Sequence, residues 1–175
     1  MPLALILRVF GVLLLWAVAA HAADHTSDAP AFMAQVAVPD DGMLILVRHA
    51  DRNPKETDLN ELGRARAAAL PGALSDLPLD AIFTTNFRRN ADTARPLAAE
   101  RQLTPQVLEP DAALSTRLVA AAENASVIWI GNVGNLVDLW EALGLNGPSP
   151  IQYGSIAVLT ARDGRWQVSW RSFEP

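Results

Sequence analysis

The chain has 175 residues, half of them hydrophobic and 19 % charged, which is enough for one packed domain and excludes global disorder. A formal net charge of −5 argues against a broad nucleic-acid surface. With no cysteine there can be no disulfide, thiolate metal centre, cysteine nucleophile or lipidated-Cys anchor, and three histidines (His21, His25, His49) are too few for a His-rich metal site.

Leu3 to Ala20 is nearly all apolar, broken only by Arg8, and runs into Ala20-His21-Ala22. An apolar core with a basic flank and an A-x-A end is the pattern of a cleaved signal peptide. Its length approaches that of a membrane span, so an uncleaved anchor is the competing reading. The small-residue end and the polar Asp24-His25-Thr26-Ser27-Asp28 that follows favour cleavage. The expected organisation is a signal peptide over 1–22, a leader over 23–41 and one domain over 42–175. Export follows, to the periplasm if the source is bacterial, with no stable membrane anchor after cleavage.

From there apolar runs alternate with helical patterns. Met43 to Val47 reads as a buried strand, and Leu59 to Leu74 as a helix capped by Asn60 or Asp58. A strand over Ala81–Thr85 precedes a helix over Asn90–Arg101 that carries Pro96. Gln106–Leu108 is a short strand, Leu114–Glu123 a helix, Ser126–Ile130 a strand and Asn135–Leu143 a helix. Ile156–Thr160 and Arg165–Trp170 form a hairpin about Asp163-Gly164. Continuous apolar strands alternating with helices imply an α/β fold, a mostly parallel sheet covered on both faces.

Such folds bind ligands beyond the carboxyl ends of their strands. The first strand is followed by Arg48-His49-Ala50-Asp51-Arg52, and the second by Asn86-Phe87-Arg88-Arg89-Asn90. The fourth is followed by Gly131-Asn132-Val133-Gly134-Asn135, opening a helix. Arginine forks and a helix N-terminus both suit phosphate oxygens. A neutral imidazole among them could attack phosphorus and form a phosphohistidine. These loops therefore predict a site for a small phosphorylated substrate or ligand.

Three segments carry a specific resemblance. Leu46-Val47-Arg48-His49-Ala50 is similar to an R-H-G/A signature, Leu59 to Ala67 to L-[TS]-x-x-G-x-x-[QR]-A, and Thr85 to Ala94 to S-[PD]-x-x-R-x-x-x-T-A. In this order they resemble the histidine phosphatase superfamily, from about Gly42 to Leu143. The resemblance implies a phosphoglycerate-mutase-like three-layer α/β/α sandwich. It makes His49 the nucleophile and Arg48 and Arg89 phosphate clamps, with Arg88 a flanking cation. No metal or organic cofactor is implied, because the arginines supply the positive charge.

One position departs. The family places a second histidine after the fourth strand, where this chain has Asn132. An amide can still donate a hydrogen bond to a phosphoryl oxygen but carries no charge. Loss of one such donor typically costs on the order of 10²–10³ in turnover. Asp51, Glu56, Glu109 and Asp111 are the acids near strand ends, and Asp51, beside Arg48 and His49, ranks first as proton donor. Two functions follow: a slow exported phosphatase, or a pseudophosphatase that binds a phosphorylated ligand without turnover. The loop at Gly131 lacks both G-x-G-x-x-G and the Walker pattern, which discounts a nucleotide site.

Overall fold

The computed structural model describes residues 36–175. The signal peptide expected over 1–22, and most of the leader, lie outside them. The elements in chain order are β1 (Asp41–Arg48), α1 (Glu61–Ala73), β2 (Ala81–Thr84), α2 (Arg88–Arg101), β3 (Gln106–Val107), α3 (Leu114–Ala122), β4 (Ser126–Gly131), α4 (Val133–Ala142), β5 (Ser155–Arg162) and β6 (Arg165–Ser172). Each expected element is present, with ends shifted by a residue or two.

The six strands form one sheet in the order β3-β2-β4-β1-β5-β6. β1, β2, β3 and β4 run parallel, while β5 runs antiparallel to β1 and β6 antiparallel to β5. The two-residue period of a strand sends alternate side chains to opposite faces. Leu44, Leu46, Val127, Trp129, Ala157 and Leu159 therefore meet Leu118, Leu136, Leu139 and Trp140 of α3 and α4. Ile45, Val47, Ile82, Ile128, Ile130, Ile156 and Val158 face the other way, onto Leu70, Leu97 and Ala98 of α1 and α2. The result is a three-layer α/β/α sandwich with β4 buried along its whole length.

Local chemistry sets the helix ends. The Asn60 side chain accepts the Gly63 N–H at 2.8 Å, so Asn60 rather than Asp58 caps α1. α2 starts two residues before the sequence pattern suggests, which brings Arg88 and Arg89 into its first turn. The β5–β6 turn has positive φ at both Asp163 and Gly164, as a tight hairpin requires.

Register places the site. Val47 at the end of β1 pairs with Ile130 near the end of β4 and with Ile156 near the start of β5. The loops after β1, β2 and β4 and the segment entering β5 thus share one edge of the sheet.

Candidate active site

His49 follows β1 directly and is 3 % exposed. Its backbone N–H donates to the Gly131 carbonyl at 3.0 Å, tying it to the end of β4. Its Nδ1 lies 2.8 Å from the Ala50 carbonyl oxygen. A carbonyl can only accept, so Nδ1 carries the proton and Nε2 keeps the lone pair. Burial pulls the imidazole pKa down to about 4, and the guanidiniums of Arg89, Arg48 and Arg52 push the same way against the raising effect of the Ala50 carbonyl. At neutral pH the ring is an uncharged base with one fixed tautomer.

The neighbouring residue is held as firmly. The Ala50 N–H donates to Thr93 Oγ1 at 2.9 Å, and that hydroxyl donates to the Arg89 carbonyl at 2.8 Å. Asn90, wholly buried, donates from Nδ2 to Thr85 Oγ1 and to the Ile130 carbonyl. These bonds lock the first turn of α2 onto the ends of β1, β2 and β4.

Arg48, Arg89 and Asn132 come together at this edge. Arg89 donates from Nε and Nη2 to Asn132 Oδ1, at 3.1 and 2.8 Å. Arginine cannot accept, so the amide oxygen must face it and the amide N–H groups point elsewhere. The Asn132 N–H is bonded in turn to Asn135 Oδ1 at 2.9 Å. Gly131 is required here, because a Cβ would overlap Asn135 Oδ1 and Trp129 Nε1. Burial lowers the pKa of Arg89, and the cations Arg52 and Arg48 add to that, so the guanidiniums repel one another. Such a cluster favours an anion between them.

Two sequence expectations separate here. Arg88 has a 74 % exposed side chain and pairs with Asp58 and Asp92, as a flanking cation would. Asp51 is corrected. Its carboxylate lies 2.6 Å from Arg66 Nε, buried on both sides. Arg66 also donates to the Phe173 carbonyl and to Glu174. Asp51 therefore ties α1 and the C-terminal tail to the loop after β1 and does not stand free as a proton donor. Glu56 accepts from Asn53 Nδ2, and Asp111 is paired with Arg117.

Sequence reasoning missed two contributors. Arg52 holds the Asn53 and Glu56 carbonyls through Nη1 and acts electrostatically on His49, Arg48 and Arg89. Tyr153, just before β5, lies under the Arg48 guanidinium, with Cζ 3.8 Å from the ring centroid. Its ring is also 5.9 Å from that of His49. No motif marks it; only the antiparallel placement of β5 carries it there.

Residues 44–114 match the family model of the histidine phosphatase superfamily (branch 1). No curated protein matches the chain in sequence. Among solved structures the fold is shared with Bacillus stearothermophilus YhfR, at 17 % identity and a TM-score of 0.58, over 73 % of this chain and 95 % of that one. It is shared with native mycobacterial glucosyl-3-phosphoglycerate phosphatase, at 18 % identity and 0.56, over 77 % and 99 %. The protein histidine phosphatase SixA complexed with tungstate aligns at 20 % identity and 0.55, over 75 % and 96 %.

Proposed function

We propose that the chain, whose residues 44–114 match the histidine phosphatase superfamily model, is a phosphoric monoester hydrolase working through a phosphohistidine at His49. The observation that carries this reading is the state of His49: buried, neutral, with Nδ1 engaged and Nε2 free among guanidiniums. Nε2 attacks phosphorus as the bond to the leaving oxygen breaks. That oxygen takes a proton from solvent, because the Asp51 carboxylate is committed to Arg66. Water then attacks the phosphohistidine, releasing phosphate and restoring His49.

Arg48 and Arg89 clamp the phosphoryl oxygens, and Asn132 adds a neutral amide donor beside them. A cation at position 132 would stabilise the developing charge more strongly, so the reaction is slow. Likeness to phosphatases of a sugar phosphoglycerate and of protein phosphohistidine supports the reaction type. For the substrate we assign a small phosphorylated molecule met outside the cytoplasm, following the export signal in the sequence. The alternative, a binding protein without turnover, is favoured by one observation: Asn132 Oδ1 takes up two of the five Arg89 N–H groups, on Nε and Nη2, that could otherwise face a phosphoryl group in turnover.

Hydrolysis of a generic aryl phosphate by the parent, His49→Ala and Asn132→His proteins separates the two. A low parent rate, abolished by His49→Ala and raised about tenfold or more by Asn132→His, supports the slow phosphatase. An inactive parent that Asn132→His does not rescue, while phosphate still binds, supports the binding protein.

A further inference from the structure

We infer that Tyr153 is the positioning residue that sets Arg48 for the phosphoryl group, an inference that rests on the phosphatase reading of the site. Arginine has a long side chain whose rotamer freedom must be removed before it can act as a clamp. Arg48 is held at two points. Nη1 donates to the Ile151 carbonyl at 2.8 Å, and the guanidinium lies 3.8 Å above the Tyr153 ring. Both contacts come from the segment entering β5, outside all three motifs.

The arrangement leaves a defined part of Arg48 unused. Its Nε is buried without a hydrogen-bond partner among the described residues. A buried donor left unpaired is costly, so the two outside contacts are what hold this side chain in place. The negative face of the tyrosine ring meanwhile offsets the repulsion that Arg52 exerts on Arg48. The same ring borders His49, so one side chain bounds both the nucleophile and its clamp.

The platform is itself anchored. Gly154, with φ of +81°, sits where a Cβ would overlap Arg66 Nη1 and come within 2.8 Å of Glu174 Oε1. The Phe173 N–H donates to the Gly154 carbonyl at 2.9 Å, and Arg66 donates to the Phe173 carbonyl at 3.0 Å. The backbone beside Tyr153 is therefore tied, through Gly154 and Phe173, to the same Arg66 that holds Asp51, two residues beyond His49. The C-terminal tail, α1 and the β5 entry form one brace around Arg48 and His49.

Orthovanadate titration of the parent, Tyr153→Phe and Tyr153→Leu proteins tests this, together with the Nε–H NMR signal of Arg48 and thermal melting as a check on folding. Tyr153→Leu should weaken vanadate binding about tenfold and abolish the ring-current shift of the Arg48 signal. Tyr153→Phe keeps the ring and should restore both. Vanadate bound as tightly by Tyr153→Leu as by the parent overturns the role, and so does Tyr153→Phe failing as badly as Tyr153→Leu, which would assign the effect to the hydroxyl. A parent that binds no vanadate contradicts the phosphatase reading; the NMR signal then decides the platform alone, supporting it if the shift is lost in Tyr153→Leu and overturning it if the shift persists.

Discussion

At the scale of single residues, the chemistry of this site turns on one hydrogen bond. The Ala50 carbonyl accepts a hydrogen bond from His49 Nδ1–H and so leaves the basic lone pair of the ring on Nε2. Burial then disfavours the charged form, and the surrounding guanidiniums reinforce it. The folded state thus resists protonation of His49. Its contribution to stability is complete above the ordinary histidine value near 6.5 and is lost as pH falls through about 4. NMR titration should find the His49 ring neutral at pH 5.5 and titrating close to pH 4. Titration near 6.5 would show that the ring is neither buried nor surrounded by cations as described.

The places of His49, Arg48 and Arg89 at one sheet edge were legible because each directly follows a strand or opens a helix, at spacings that the sequence itself displays. Asp51 was misread for a physical reason. Adjacency along the chain placed it beside His49, but the loop turns there toward α1, and the carboxylate follows Arg66, fifteen positions later. Tyr153 was illegible, since its contact with Arg48 spans the whole domain and no local pattern announces it.

At the scale of elements, the continuous apolar runs of β1, β4 and β5 foretold a sheet covered on both faces. What it could not foretell is how closely α1 approaches the loop after β1. A Cβ on Gly63 would overlap the Asp51 carbonyl oxygen, while the Asn60 N–H donates to that same oxygen at 3.1 Å. The start of α1 therefore rests directly on backbone two residues from His49. Gly63→Ala should destabilise the fold by about 2 kcal/mol, the usual scale for forced overpacking, in chemical denaturation. Arg66→Ala should cost about 3 kcal/mol or more, because it strands Asp51 as a buried unpaired charge. Stability unchanged in both variants would mean that this brace is not formed.

At the scale of the whole molecule, the parallel strands gather their loops at one edge, and the antiparallel β5 returns to that edge from the other direction. The candidate site is therefore assembled from four separate stretches of the described residues. The exported reading belongs to this scale too. Intact mass of the protein recovered from an expressing bacterium should place the mature start near Ala23, and retention of Met1 to Ala22 would contradict cleavage. That segment precedes the described residues in sequence, so the result bears on where the reaction takes place and not on its chemistry.

The central claim is that His49 itself accepts the phosphoryl group. Rapid alkaline quenching during turnover of an aryl phosphate, followed by peptide mass spectrometry, reads this directly, since phosphohistidine survives base. One phosphoryl adduct is expected on the peptide bearing His49 in the parent, a larger or faster-forming one in Asn132→His, and none in His49→Ala. Turnover with no adduct on that peptide, or an adduct that persists in His49→Ala, would contradict it.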